Sequence, residues 1–395
     1  MGKGFVRLAA AVALAGYALV AIASGLDRAS EKNPALAPLV PEPFAVNAAR
    51  AEALLAIEAK HPQQARAAAV VALRHDPVDG RSVGLYGQSL VELQQGRPAR
   101  DAFRVSGKLG WRDPPTQFYW IAAGLYAKDP RFAATWLDAA LRQSPELAWR
   151  PDLFAPFEET DAGRAAVAER LAAVPAPAWR TAYFQPLTDK VAVLLVRAQT
   201  ALAMARQPGA RDCGNVSPLI GELASKQAYS AARQVWAAHC LARGLNPDLG
   251  DGGFTTASLT ERQTPFDWQW PDSDGSVSLY LGTSRGFAGQ TVTVGSTAPI
   301  ARTFVTKILT LPPGRYVLGW RAADAAGAPA GRVTASLACD ADTRRDLSGQ
   351  LADPRSARFA ASFEVSPGCP AQWLKFLIGP GGDQITFDAV SLSRR

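Results

Sequence analysis

Aromatic side chains in the last third of the chain are the first candidates for chemistry. The segments 276–282 and 372–379 alternate apolar residues with others, as half-buried β-strands do. The alternation turns Tyr280 outward in the first segment, and Trp373 beside Lys375 outward in the second. Sugar-binding proteins stack sugar rings on exposed aromatic side chains and bond the hydroxyls through polar neighbours. Tyr280, Trp373 and Lys375 are therefore predicted glycan ligands.

A second aromatic cluster precedes the first clear strand. Phe266, Trp268 and Trp270 alternate with Asp267 and Gln269, which places three rings on one face of an extended segment. One interpretation is a binding platform, which makes Trp268 and Trp270 further glycan candidates. The other is a strand that docks its rings into the sandwich or against neighbouring helices. Large aromatic residues usually serve cores and domain interfaces, which favours the second interpretation.

Carboxylates are the alternative source of chemistry. They cluster at two places, Glu158, Glu159 and Asp161, and Asp340, Asp342 and Asp346. A glycoside hydrolase needs two carboxyl groups about 5 Å or about 6.5–9.5 Å apart across a cleft. Both clusters lie in polar stretches typical of solvated loops or helix starts, and no GxSxG, P-loop, HExxH or dinucleotide glycine pattern occurs. The sequence therefore predicts a protein that is not an enzyme.

Metal sites are weakly indicated. Asp272 with Asp274, or Asp388, could give oxygen ligands to calcium, but EF-hand spacing is absent. Zinc is disfavoured because the chain has no CxxC pattern. No cofactor is expected.

The four cysteines form two local pairs, Cys213 with Cys240 and Cys339 with Cys369. Each pair lies inside one predicted domain. Even, locally paired cysteines suit an oxidising compartment such as a periplasm, so two disulfides are predicted. The alternative is four buried free thiols.

Charge argues against nucleic acid as a partner. The formal net charge is +7, and basic residues never follow one another for more than two positions. Nucleic-acid-binding proteins usually concentrate their positive charge in a patch or stripe. The arginines are better explained as single solvated side chains.

The N-terminus carries an export signal. Residues 8–26 are uncharged and mainly apolar, and Lys3 and Arg7 precede them. Nineteen residues at 1.5 Å each just cross a hydrocarbon layer of about 30 Å, which predicts an inner-membrane anchor with the bulk in the periplasm. The alternative is a signal peptide cleaved after Ala23, since Ala21-Ile22-Ala23 has the small-x-small form.

A helical region follows a proline-rich spacer. Prolines suited to open a helix and prolines suited to close one each recur at an average of 34 residues, at Pro62, Pro98 and Pro130 and at Pro77, Pro114 and Pro145. Alanine-rich amphipathic stretches lie between them. With this period, and with small residues where paired helices touch, the region resembles the tetratricopeptide repeat (TPR) family. The resemblance implies stacked helical hairpins that bind protein partners.

Beyond Pro247 the apolar period falls from 3.6 to 2, and about eight short strands are predicted. The closing pattern of Phe387, Asp388, Val390 and Leu392 resembles the jelly-roll domains of the galactose-binding-like and carbohydrate-binding-module group. That resemblance implies a β-sandwich and a possible polysaccharide ligand.

The predicted fold class is multidomain α plus β, a TPR-like α-helical repeat array followed by an all-β jelly-roll sandwich. The predicted boundaries are 1–27 for the anchor or signal peptide, 28–43 for the linker, 44–247 for the repeats, 248–263 for a second linker and 264–395 for the sandwich. Chains of this organisation resemble accessory factors of bacterial envelope or exopolysaccharide assembly. The predicted function is therefore a non-catalytic, membrane-tethered adaptor that binds proteins of such a system. The alternatives are a polysaccharide-acting enzyme with a carbohydrate-binding module, or a purely structural envelope subunit.

Overall fold

The computed structural model describes residues 3–110, 112–185, 188, 190–259, 263–271, 274–284, 289–339, 344–347 and 349–395, with the backbone alone for residues 3–7, 344 and 345. Helices fill the first part of the chain and antiparallel strands the last, which confirms the predicted α plus β class. The chain divides into two compact units, Met1–Leu147 and Ala148–Arg395. The predicted boundary near residue 247 differs from this division, because the helices after residue 148 pack with the strands in one unit.

Within its described residues, the first unit contains helices joined by short turns and no strand. Its α-helices are α1 (Lys3–Ser30), α2 (Asn47–Glu58), α3 (Pro62–His75), α4 (Gly80–Glu92), α5 (Gly96–Leu109), α6 (Pro114–Tyr126) and α7 (Pro130–Gln143). Consecutive helices from α2 onwards pair as three hairpins, α2/α3, α4/α5 and α6/α7. Short 3-10 helices join α1 to α2.

The three hairpins repeat at a spacing of 34 residues. The chain reverses at Lys60, Gln94 and Lys128, each with a φ between 58° and 61° in the left-handed region. The loops between hairpins repeat the same spacing, since Asp79 and Asp113 cap the N-termini of α4 and α6. Each carboxylate accepts backbone N–H groups of the first turn that otherwise lack a partner.

The end of α1 is built into the first hairpin. Asp27 is buried, and its carboxylate accepts the backbone N–H of Ala48 at 2.9 Å and the side-chain amide of Asn47 at 2.7 Å. Leu26 packs beside Ala48, and Ala23 is buried one turn earlier. Asp27, near the end of α1, therefore supplies a hydrogen-bond acceptor for a first-turn N–H group of α2.

The second unit begins with shorter and less regular helices. They are α8 (Pro151–Glu158), α9 (Asp161–Leu171), α10 (Trp179–Phe184), α11 (Val191–Ala205), α12 (Cys213–Ser225) and α13 (Tyr229–His239). The predicted disulfide between Cys213 and Cys240 is confirmed, and it joins the start of α12 to the residue after α13. His239 lies next to this bridge and bonds to two backbone groups, as a structural residue.

The strands of the second unit form two antiparallel sheets. Within the described residues they are β1 (Val277–Gly282), β2 (Thr291–Ser296), β3 (Arg302–Leu309), β4 (Gly314–Ala323), β5 (Val333–Ala338), β6 (Arg344–Leu347), β7 (Gln350–Asp353), β8 (Arg358–Val365), β9 (Gln372–Ile378) and β10 (Gly381–Arg394). The six-stranded sheet has the order β1-β2-β10-β4-β8-β7 and the four-stranded sheet the order β3-β9-β5-β6. The apolar residues of both sheets, Phe376 and Phe387 among them, meet in one core. The second predicted disulfide, Cys339–Cys369, is also confirmed.

The helices and the sandwich of the second unit meet at Trp236 of α13. Its indole N–H donates to the Asp267 carboxylate at 2.9 Å, and its ring lies 5.9 Å from that of Phe266. The segment carrying these two residues runs along the edge of β3, where Gln269 and Thr306 exchange backbone hydrogen bonds. The aromatic segment therefore joins the two parts of the unit.

Candidate functional site

Tyr280 stands on the outer face of the six-stranded sheet. The flanking residues Leu279 and Leu281 pack toward the core, which leaves the Tyr280 side chain 67% exposed. The strand register places Thr293 of β2 directly opposite Tyr280, and Thr386 of β10 opposite Thr293. Residues opposite one another share a face. An exposed ring followed by two hydroxyl side chains therefore forms one row, which we call the Tyr280 row.

A charged pair lies in the next row of the same face. Asp388 of β10 is opposite Arg321 of β4, and the guanidinium donates to both carboxylate oxygens at 2.8 and 3.0 Å. Asp388 is 3% exposed, so the pair is held almost free of water. A bidentate arginine pair fixes both groups and neutralises the carboxylate. Because Arg321 bonds to both carboxylate oxygens, Asp388 is a poor candidate for the calcium role considered for it.

The absence of a side chain at Gly282 also helps to position the Tyr280 ring. A side chain at Gly282, two residues along the strand, would bring its Cβ to 2.6 Å from the Tyr280 ring. The ring therefore lies along the strand over Gly282, and the missing side chain leaves room for it. The ring keeps most of its surface exposed in this position, which leaves it available for contact with a sugar ring.

Trp373 and Lys375 lie on the outer face of the other sheet. Both are partly exposed on β9, and Lys375 is opposite Thr306 of β3 and Ser336 of β5. Trp373 is flanked in the same way by the buried Ile308 and by Ala338. We call Trp373, Lys375 and Thr306 the Trp373 patch. It shows less aromatic surface than the Tyr280 row.

The sequence-predicted glycan residues therefore do not form one site. Tyr280 belongs to the six-stranded sheet and Trp373 with Lys375 to the four-stranded sheet, so the two sets face away from each other across the sandwich. Thr293 and Thr386 were not among the predicted glycan residues. The alternation that places Phe387 in the core also turns Thr386 outward, and that signal was present in the closing strand.

Burial contradicts the prediction of Trp268 as a glycan ligand, and Trp270 packs against the core of the sandwich. Trp268 is 3% exposed, and its indole N–H donates to the Asp251 carbonyl at 2.5 Å. Trp270 is partly buried, lies 6.2 Å from Phe254, and donates to the Ser258 carbonyl at 2.8 Å. The second interpretation of this segment, a docked strand, is the one that the structure supports.

Lys307 is a buried cation that the sequence analysis did not single out. It is 2% exposed, its ammonium donates to the Leu249 carbonyl, and it lies 4.4 Å from the Trp268 ring centre. Burial lowers the pKa of Lys307 to about 7, against the opposing effect of Asp267 and Asp251. Through this hydrogen bond, Lys307 connects the loop around Leu249 to strand β3.

The carboxylate clusters are held by other side chains or lie outside the described residues. Glu158 accepts the Tyr183 hydroxyl at 2.9 Å and lies 3.4 Å from Arg197, and Asp161 pairs with Arg164. Asp340 and Asp342 lie outside the described residues, as does Asp272 of the calcium prediction. Within the residues that the structure describes, no three His, Cys, Asp or Glu side chains converge as a metal site.

Comparison with known proteins gives structural likenesses only. The chain matches no family model and no curated protein. A carbohydrate-binding module, TmCBM61, solved with β-1,4-galactotriose, is 14% identical with a TM-score of 0.25, over 37% of this chain and 96% of its own. A CBM4 structure is 16% identical with a TM-score of 0.28, over 37% and 99%. A putative sugar-binding protein from Bacteroides thetaiotaomicron VPI-5482 is 13% identical with a TM-score of 0.25, over 38% and 100%.

Proposed function

We propose that this protein is a membrane-anchored, non-catalytic adaptor of a bacterial cell envelope, engaged in exopolysaccharide or envelope assembly. The sandwich binds polysaccharide through the Tyr280 row, and the helical hairpins bind protein partners. The observation that carries the proposal is the 67% exposed ring of Tyr280, aligned with the hydroxyls of Thr293 and Thr386. A ring for stacking and hydroxyls for hydrogen bonding are the two requirements of a sugar surface.

The anchor is supported by the course of α1. The described residues contain one helix, Leu8–Ser30, long and apolar enough to cross a membrane. It continues without a break through Ala23, which is buried, and Asp27 then caps α2. The end of this helix is therefore part of the packing of the first hairpin, and its retention would preserve these contacts. The two disulfides suit an oxidising compartment, and with Lys3 and Arg7 inside they favour a periplasmic orientation.

The adaptor role is supported by the repeated hairpins. Their turn residues Lys60, Gln94 and Lys128 recur every 34 residues, which is the period of the TPR family that the sequence resembles. Stacked hairpins form extended surfaces on which other proteins bind. Such a surface next to a membrane anchor suits a protein that holds others in place.

The non-catalytic role is supported by the state of the carboxylates. Among the candidate acids that the structure describes, Glu158 and Asp388 are well enclosed, and each lies against an arginine, Arg197 and Arg321 respectively. An arginine partner favours the ionised form, whereas a general acid of a glycosidase needs a raised pKa. These contacts are those of structural ion pairs.

A binding experiment with the full chain in detergent micelles tests the proposal. Biotinylated β-1,4-galactan, xylan and alginate are immobilised, and binding is followed by interferometry. We expect retention on at least one polymer, and Tyr280→Ala should weaken it by about two- to tenfold, since stacking on an aromatic ring contributes about 0.5–1.5 kcal/mol. Tyr280→Phe keeps the ring and should bind as the unmodified chain does.

The Trp373 patch supplies the matched control. Trp373→Ala removes an aromatic side chain from the opposite sheet and should leave retention unchanged. If Trp373→Ala abolishes retention and Tyr280→Ala does not, the site is on the four-stranded sheet. If the chain binds none of a wide panel of envelope polysaccharides, or hydrolyses one of them, the proposed function is wrong.

A further inference from the structure

A cavity of about 160 Å³ lies among the helices of the second unit, far along the chain from the sandwich strands. Its described lining comes from the end of the 3-10 helix before α8, the start of α8, α10 and the chain after it, and the first turns of α11. It consists of Ala148, Trp149, Pro151, Ala182, Gln185, Thr188, Lys190, Val193 and Arg197. Both charged residues of this lining are cations. None of these residues has a role in the Tyr280 row.

Arg197 forms the inner wall of the cavity and is 4% exposed. One terminal nitrogen donates to the Tyr183 carbonyl at 2.8 Å, and the guanidinium lies 4.9 Å from the Tyr183 ring centre. Its Nε is 3.4 Å from a Glu158 oxygen but makes no hydrogen bond within the described part of the chain. Glu158 balances the charge of this guanidinium, but the Nε–H lacks a hydrogen bond among the described residues, and a further acceptor in the cavity would stabilise the buried group.

The N-terminus of α11 adds positive potential to the same space. Lys190 is at the N-cap position, and its ammonium cannot accept a hydrogen bond from the first-turn N–H groups. A cation at this end of a helix is repelled by the helix dipole, whereas an anion is attracted. Lys190, Val193 and Arg197 are spaced three and four residues apart, so they share one face of α11 toward the cavity. The unfavourable lysine makes sense if an anion lies between it and Arg197.

The remaining lining residues suit a sugar rather than a bare ion. Trp149 is 45% exposed at the cavity and offers an indole face, and Gln185 and Thr188 offer an amide and a hydroxyl. The volume of about 160 Å³ has the size of one sugar ring. A ring with a carboxylate would use all four kinds of contact at once.

We propose that this cavity binds the carboxylate of an acidic sugar, with Lys190 and Arg197 on the carboxylate, Trp149 against the ring, and Gln185 and Thr188 on hydroxyls. The choice of a sugar acid rests on the proposed glycan function, while the anion site itself rests on the helix end and the buried arginine. A polymer that carries uronic acids could then contact the protein in two places, at this cavity and at the Tyr280 row.

Calorimetry of the full chain in detergent micelles tests the inference, with sodium glucuronate as the probe. Glucose is the matched neutral control, because it differs by the missing carboxylate, and inorganic phosphate is the control for a general anion. We expect glucuronate to bind, and glucose to bind at least about tenfold more weakly, since a charge-assisted hydrogen bond contributes about 1.5–3 kcal/mol. Equal binding of glucose, or binding of phosphate in place of glucuronate, would overturn the assignment.

Variants locate the binding. Lys190→Gln and Trp149→Ala change exposed side chains, and each should weaken glucuronate binding about tenfold with an unchanged melting temperature. Arg206→Gln removes an exposed cation at the other end of α11 and should have no effect. If Arg206→Gln weakens binding as much as Lys190→Gln, the attraction is general and the site is wrong. Tyr280→Ala separates the two proposals: it should reduce polymer retention and leave glucuronate binding intact.

Discussion

The contacts that stabilise the first unit internally differ in kind from those that stabilise the second. In the first unit, each hairpin is specified by contacts close in sequence, as when Asp79 and Asp113 cap the helices that follow them. In the second unit, the decisive contacts join distant residues, such as Lys307 with Leu249 and Trp236 with Asp267. The first kind of structure can repeat along a chain, whereas the second must be assembled as a whole.

Their buried ionisable groups show the same contrast. Asp113 is 4% exposed and is surrounded by hydroxyl and N–H donors of its own hairpin region, from Thr116 and Ser106. Lys307 is 2% exposed and is enclosed by a loop and an aromatic segment far from it in sequence. Burial shifts the pKa of the two groups in opposite directions, so the units should respond oppositely to pH. The pH dependence of the unfolding free energy can therefore distinguish the unit stabilised by short-range contacts from the unit stabilised by long-range contacts.

The largest effect is expected at Trp236. Trp236→Ala removes the indole from the junction of α13 with the sandwich and leaves the Asp267 carboxylate without that donor. We expect it to destabilise the second unit by about 3–5 kcal/mol and the first unit not at all. Hydrogen exchange with mass spectrometry, read on peptides from α11–α13 and from β3–β9, measures both parts of the unit.

The two parts should lose protection together in Trp236→Ala. If only the helical peptides exchange faster, the helices and the sandwich are separate folding units and the boundary near residue 247 is the correct one. Trp236→Phe keeps a ring and should show a smaller loss. Tyr126→Ala, a change of a 93% exposed ring in the first unit, should alter neither.

The Cys213–Cys240 disulfide provides the next test. It closes a loop of 27 residues, so its removal by Cys213→Ser with Cys240→Ser should destabilise the second unit by about 3.5 kcal/mol on the chain-entropy model. Urea unfolding of this double variant and of the unmodified chain measures the difference. The first unit has no cysteine, and its transition should not move. A shift of both transitions would show that the units unfold as one.

The repeated helices and most strands could be predicted from the sequence because their signals are local. Proline spacing located the helices near their observed ends, and period-two alternation located the strands that have one face in the core. β6 and β7 were missed. Their sequences, RRDL and QLAD, carry little apolar alternation, and β7 is exposed along its length. Edge strands of this kind are fixed by backbone pairing to a neighbour, which the sequence does not display.

The candidate sites were only partly predictable, for the same reason. Alternation placed Tyr280 and Trp373 outward, but it could not show that their strands belong to different sheets. Trp268 was placed on a common face with its neighbours, yet whether that face is covered depends on loop 249–254. Arg197 and Lys190 were not noticed, because a single cation on a helix carries no signal until the structure shows what surrounds it.

Acid should stabilise the first unit through Asp113. Burial raises the pKa of Asp113 to about 6 from 3.8, with Asp79 acting in the same direction and hydrogen bonds from Thr116 opposing it. The folded state therefore binds the proton more tightly than the unfolded state. The stabilisation is complete below about pH 4 and is lost as the pH rises to about 6, by at most about 3 kcal/mol.

Asp113→Asn isolates this contribution. Asparagine is uncharged at every pH and keeps an oxygen that can cap α6. The difference in unfolding free energy between the variant and the unmodified chain should therefore grow from pH 4 to pH 6 and then level off. Urea unfolding of the first unit at half-unit pH steps measures it. A flat difference would mean that the carboxyl is hydrated in the folded protein.

The second unit should show the opposite slope through Lys307. Burial lowers the pKa of its ammonium to about 7 from 10.5, helped by Arg233 and opposed by Asp267 and Asp251. The folded state holds the proton less tightly than the unfolded state, so the unit should gain stability as the pH rises above 7, by up to about 1.4 kcal/mol per pH unit. Urea unfolding between pH 7 and pH 9 measures the slope. Lys307→Met keeps the length of the side chain without the charge and should flatten it, and Lys375→Met, on the exposed face of β9, should leave it unchanged. Equal slopes in all three chains would mean that the Lys307 ammonium reaches solvent. The long-range contacts around Lys307 would then exclude water less well than the short-range contacts around Asp113.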